Sequence, residues 1–111
     1  MARELTEYVD AVLTLVERVP RGCVTTYGDL AAIVGSKGPR AVGRVMSTYG
    51  GAVPWWRVVR ANGRPAQGHE REALHRLAAE GVRLRGGPPP DRVDLASCRW
   101  DGGGCQTPVL G

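Results

Sequence analysis

The chain has no long apolar run. No stretch approaches the roughly 18 residues that would suggest a transmembrane helix. The first residues, M-A-R-E-L-T-E-Y, are charged and lack the apolar centre of a secretory signal, so a cytoplasmic location is expected. Cysteine is scarce, with only Cys23, Cys98 and Cys105. Their odd count and their spacings fit no common zinc pattern, so three reduced thiols and no metal are expected. His69 and His75 lie six residues apart, which does not put them on one helical face as ligands. There is no serine nucleophile elbow, no phosphate loop and no internal repeat. No cysteine has a histidine close in sequence to activate it, although folding could bring one near. The residues alone therefore give catalysis and cofactors little support.

What is present suits one soluble domain. The 111 residues are 42% hydrophobic and 23% charged, enough to bury a core without metal or disulfide support. The net charge of +4 is unevenly spread. Lys37, Arg40, Arg44, Arg57, Arg60, Arg64 and Arg71 crowd one third of the chain, opposed only by Glu70. A solvated basic face is the plain reading, but this concentration favours a polyanionic partner. All the basic residues except Lys37 are arginine, which forks onto phosphate and stacks on bases. A GC-rich coding sequence would give the same bias.

Leu5, Tyr8, Val9, Val12, Leu13 and Val16 mark one face of a first helix, stopped by Pro20 and Gly22. Thr26 is placed to cap a second helix, with Leu30, Ile33 and Val34 as its buried stripe and Gly35 at its end. Pro39 suits the start of a third helix, which closes at Gly50-Gly51. Two short helices joined by a glycine-containing turn read as a helix-turn-helix. Val58 and Val59 favour strand, followed by the turn signal Asn62-Gly63. A fourth helix buries Leu74, Leu77 and Ala78 and ends at Gly81. V-R-L-R reads as a short strand, and R-V-D-L-A-S-C-R-W as a last one. The fold class is mostly α with a small β element, a winged-helix-like helix-turn-helix domain over residues 1–100. Residues 101–111 read as a flexible tail.

Inside the third helix, Ala41 and Gly43 keep one face small. An interior glycine costs about 1 kcal/mol against alanine. Either close helix packing or close approach to DNA would explain it.

The segments V-T-T-Y-G-D-L-A, P-R-A-V-G-R-V-M and V-P-W-W-R-V-V-R-A-N-G together resemble the DNA-binding domain of O6-alkylguanine-DNA alkyltransferases. The resemblance is collinear from about Tyr8 to Val82, and continues in E-G-V and in D-L-x-x-x-x-W. Where that family has P-C-H-R-V, with the alkyl-accepting cysteine, this chain has Pro54, Trp55, Trp56, Arg57 and Val58. That is similar to the alkyltransferase-like branch, whose usual motif is P-W-H-R-V.

The resemblance implies a non-enzymatic sensor of O6-alkylguanine in double-stranded DNA. Such a sensor docks in the minor groove, flips the damaged base and flags the site for nucleotide-excision repair proteins of the UvrA type. It implies a nucleoid-associated monomer with no cofactor and no membrane. Tyr27, Arg40, Ala41, Gly43 and Arg44 would meet DNA, with Arg40 as the finger that fills the gap and Tyr27 pressing on the backbone. Tyr27, Pro54, Trp55, Arg57, Val58 and Arg64 would line the lesion pocket. Trp56 stands where the family has histidine, and the loop after Gly63 is shorter than in relatives. The rival reading is a winged-helix transcriptional regulator with no preference for damage.

Overall fold

Valine spacing along the first helix sets the larger of two main cores. In the computed structural model, which describes residues 2–35 and 37–105, α1 spans Ala2–Arg18. Val9, Val12 and Val16, at three- and four-residue steps, are all buried. They meet Leu30 and Ala31 of α2 (Tyr27–Val34) and Val42, Val45 and Met46 of α3 (Gly38–Tyr49). A fully buried valine or leucine stabilises the fold by about 1.5–3 kcal/mol, so this interface dominates the energetics of the N-terminal half.

Local chemistry fixes the ends of α2. The Thr26 hydroxyl accepts from the Asp29 amide at 2.9 Å. Gly35, at φ +80°, closes the helix by donating to Ala31 O. The Asp29 carboxylate is held below its ordinary value chiefly by Arg99, with smaller contributions from the Thr26 hydroxyl and amide that it faces across the cap. It receives a two-pronged contact from Arg99, at 2.9 and 2.6 Å.

A parallel pair of two-residue strands joins the two halves. β1 (Thr25–Thr26) lies beside β2 (Val58–Val59), with Thr25 opposite Val58 and Thr26 opposite Val59. Successive strand residues face opposite ways. Val58 accordingly enters the first core, and Val59 enters a second with Val24, Leu77, Val82, Val93 and Cys98. Two short 3-10 turns, Gly50–Ala52 and Trp55–Arg57, connect α3 to β2. The second core is covered by α4 (Glu70–Ala79), by the antiparallel pair β3 (Leu84–Arg85) and β4 (Arg92–Val93), and by α5 (Leu95–Cys98). The Asn62-Gly63 turn forms as expected, with Gly63 N donating to Arg60 O at 2.8 Å. Gly63 sits at φ +85°, and a Cβ there would lie 2.7 Å from Val93 O. Only glycine allows this turn to dock on β4.

Several expectations need correction. Ile33 is 59% exposed and Ala78 is exposed, while Ala31 and Ala73 take the buried positions. Leu30 and Leu77 are buried as expected, so each short helix departs from its expected stripe at one flanking position. The anticipated last strand is split into β4, α5 and a bridge that brings Arg99 beside Val24. Three free thiols are not found either. Cys23 and Cys105 form a disulfide with Cα atoms 5.4 Å apart, leaving Cys98 as the free thiol among the described residues. Trp100 and Cys105 also form an antiparallel bridge, and Asp101 accepts from the amides of Gly103 and Gly104. The expected flexible tail therefore begins as an ordered turn stapled to the loop after α1. Its last part, residues 106–111, lies outside the described residues.

Among the described residues, no helix is long and apolar enough to cross a membrane. Nor does any group of three or more His, Cys, Asp or Glu side chains among them suit a metal ion.

Candidate nucleic-acid interface

Between α3, the 3-10 turns and the start of α4 lies an open cavity of about 1130 Å³. Trp55, Tyr27, Arg40, Gly43 and Arg44 all line it, so the fold brings together residues spread over nearly thirty positions. Trp55 sits on the second 3-10 turn, behind Pro54, and packs in part against the first core. The Trp56 ring meets it edge-on, with centroids 5.8 Å apart and an interplanar angle of 86°. On another side stands His69, 5.6 Å away at 63°. The Trp55 indole is thus held partly exposed on the cavity wall.

Tyr27 opens α2 and is half-buried. Burial raises its hydroxyl above the ordinary value of 10.0, and the nearby Arg60 charge works in the opposite direction. Arg40 and Arg44 lie exposed on α3, one turn apart, with no ion pair among the described residues. Gly43 is between them in sequence, and a Cβ built there meets nothing within 4 Å. Close packing within the molecule therefore does not explain this glycine. Ala41 is half-buried on the same helix and does not line the cavity.

Four residues expected in the pocket, Pro54, Arg57, Val58 and Arg64, do not line it. Arg57 is 15% exposed and grips Glu80 through Nε at 3.0 Å and Nη2 at 2.8 Å. Its Nη1 donates to Val19 O at 2.9 Å. This clamp ties the Trp55 turn to the end of α4 and to the loop after α1. Val58 is 1% exposed and belongs to the first core. Arg64 is turned to the other face, where it pairs with Asp91 at 3.2 Å beside a smaller groove of about 520 Å³. The Asn62-Gly63 turn reverses the chain just before it. Pro54 shapes the wall by capping the Trp55 turn and is not itself a lining residue.

The cavity also contains residues that the sequence reading did not assign to it, chiefly Arg60, Gln67 and His69. Arg60 was legible in principle. It lies two residues beyond Val58, so strand alternation aims it to the same side, toward Tyr27. Nothing in the local sequence marks His69. Trp56 faces away from the cavity. Its Nε1 donates to Glu80 at 2.9 Å, and the Arg76 guanidinium lies 4.4 Å over its ring. Cys98 is buried in the second core, where burial and the Asp94 charge push its thiol up to about 11.

A helix-turn-helix with two arginines that make no ion pair among the described residues, beside a cavity walled by an indole, defines a small nucleic-acid-binding domain. Residues 7–82 match the family model for the 6-O-methylguanine DNA methyltransferase DNA-binding domain. The chain is 38% identical over 98 residues to the DNA base-flipping protein of Escherichia coli (strain K12), covering 81% of this chain and 71% of that one. It is 32% identical over 94 residues to a bifunctional methyltransferase/endonuclease of Picrophilus torridus, covering 79% of this chain and 30% of that one. Its fold superposes with a TM-score of 0.75 on S. pombe Atl1, solved in complex with damaged DNA containing O6-carboxymethylguanine. That match is at 29% identity and covers 86% of this chain and 96% of Atl1. The chain belongs to this family, in its alkyltransferase-like, DNA base-flipping branch.

Proposed function

We propose that the protein is a non-enzymatic sensor of O6-alkylguanine in duplex DNA. The observation that carries this reading is the placement of Trp55. A flat, partly exposed indole walls a cavity directly beside a helix that presents Arg40, Arg44 and an unobstructed Gly43. In this reading α3 enters the minor groove, where Gly43 allows close approach. Arg40 fills the gap in the stack, and Tyr27 presses on the backbone beside the lesion. Arg44 adds a phosphate contact and raises the salt dependence of binding.

Flipping a base costs a few kcal/mol, which contacts in the pocket must offset. The Trp55 face offers apolar burial worth about 0.8 kcal/mol per methylene of the alkyl group. That alone gives modest discrimination, so several contacts must act together. Atl1, crystallised on DNA containing O6-carboxymethylguanine, supports the same use of this fold.

The absence of catalysis rests on chemistry. The acceptor position of the alkyltransferases is Trp55 here, and an indole cannot take an alkyl group as a thiolate does. Cys98 is 3% exposed, with a thiol held protonated at neutral pH, and Cys23 and Cys105 are paired. A bound sensor must pass the lesion on, and the proposed recipients are nucleotide-excision repair proteins of the UvrA type.

Fluorescence titration with duplexes of one sequence, with and without O6-methylguanine, tests the reading at fixed salt. The modified duplex should bind more tightly, and Arg40→Ala should lose most of that affinity while its unfolding curve stays unchanged. Equal affinity for both duplexes would favour a winged-helix regulator instead. Retention of a UvrA-type protein on lesion DNA only when the sensor is present tests the handover.

A further inference from the structure

Arg60 stands in the cavity wall with unused hydrogen-bonding capacity. Its Nε donates to Pro65 O at 3.0 Å, which fixes the plane of the guanidinium. The terminal nitrogens make no hydrogen bond among the described residues. The nearest carboxylate, Glu70, lies 3.7 Å from Nη2, and both side chains are partly exposed, at 38% and 44%. That is beyond hydrogen-bond length, and an exposed pair of this kind is a weak competitor. Glu70 is also occupied elsewhere, accepting from Gly68 N at 2.8 Å. The one glutamate among the residues lining the cavity, Glu72, is held by Arg76 at 3.0 Å. The remaining charged lining residues are Arg40 and Arg44, so the cavity is cationic.

A pinned guanidinium fork with free donors is built to receive a planar anion. Phosphate backbone is one such anion, but Arg60 follows β2 and shares the pocket wall with Trp55 and Tyr27 rather than lying on α3. A neutral substituent packed there would cover the free N–H groups without replacing their water, which is unfavourable. A carboxylate would satisfy them.

We infer that Arg60 is a specificity-determining residue that anchors a carboxylate carried on the O6 substituent, so that carboxyalkyl adducts are favoured over neutral adducts of equal size. This rests on the lesion-sensor reading and names the ligand class of that same pocket.

The test compares four duplexes of one sequence, carrying guanine, O6-methylguanine, O6-carboxymethylguanine or its neutral isostere O6-carbamoylmethylguanine. The wild-type protein should bind the carboxymethyl duplex about tenfold more tightly than the carbamoylmethyl one, as expected for one charge-assisted contact. Arg60→Gln should bring that ratio close to one, weakening the carboxymethyl duplex more than the O6-methylguanine duplex. Glu70→Gln, which removes the competing carboxylate, should widen it. A carboxymethyl-to-carbamoylmethyl ratio near one in the wild type would overturn the inference. So would an Arg60→Gln variant that weakens all four duplexes alike, as loss of a phosphate contact would. Failure of the lesion reading itself would show differently, as no preference for any modified base over guanine.

Discussion

The Trp56 indole N–H donates to Glu80 at 2.9 Å, and the same carboxylate is gripped by both prongs of Arg57. Two adjacent tryptophans therefore have different tasks. Trp55 walls the cavity, and Trp56 locks the turn that carries it. Glu80 is 5% exposed at its side chain, so its loss strands a buried guanidinium. Glu80→Ala should destabilise the fold by about 3–5 kcal/mol, read from urea unfolding. Burial alone would raise the Glu80 carboxyl above its ordinary value of 4.5, but hydrogen bonds from Arg57 and Trp56 hold it below that value. For Asp29, the hydrogen bond from Arg99 does the same. Depressed carboxylates contribute stability that is complete above their ordinary values and is lost as pH falls through the folded ones. The acid limb of the wild-type stability curve should thus be steeper than that of Glu80→Ala.

Gly43 separates folding from binding. An open position inside a helix gains from a side chain, since interior glycine costs roughly 0.5–1 kcal/mol against alanine. Gly43→Ala should raise the unfolding midpoint. Gly43→Leu starts from a position where a Cβ has open space, so it should fold, as an unfolding curve close to that of Gly43→Ala would show. It should nonetheless weaken duplex binding at least tenfold if α3 must approach DNA closely. A leucine variant with wild-type affinity would place the duplex elsewhere.

The parts of the molecule that short-range chemistry controls could be read from the residues. Thr26 caps α2 through an amide three positions on, Gly35 closes it, and Asn62-Gly63 turns the chain. Valine spacing located α1 in the same way. Trp55, Tyr27 and Arg40 come from three segments whose common cavity followed from the family resemblance, not from local pattern. Contacts set by distant partners stayed hidden. Arg57 looks like a pocket cation until Glu80, 23 residues away, is seen to hold it. Arg64 was misplaced because a turn of known type does not reveal which face the chain takes after it. Leu30 and Leu77 were placed correctly, but Ile33 and Ala78 were misjudged because short helices show too few periods to fix their rotation.

The Cys23–Cys105 disulfide closes 82 residues of chain and fastens the C-terminal turn beside Trp100 and Val19. A cross-link over so long a loop restricts the unfolded chain strongly. Cys105→Ser should lower stability by about 2–4 kcal/mol under oxidising conditions. Reductant should remove the difference between the two proteins. Mass spectrometry after thiol labelling under native conditions should find little modification of Cys98, which is buried.

The clamp at Glu80 also specifies what restoring alkyl transfer would require. Trp55→Cys supplies a sulfur, but Trp56 has no basic nitrogen to activate it, and its N–H is committed to Glu80. His69 lies across the indole, yet no carboxylate among the described residues accepts from its ring to orient it. The single variant should therefore remain unalkylated after incubation with O6-methylguanine duplex. Trp56→His added to it changes the chemistry. The new imidazole could donate to Glu80 from the place where the indole does now, leaving its second nitrogen to draw the proton from the sulfur. A mass increase of one methyl group on the double variant alone is the expected result. Methylation of Trp55→Cys by itself would show that another group at the cavity, with His69 the first to examine, serves as the base.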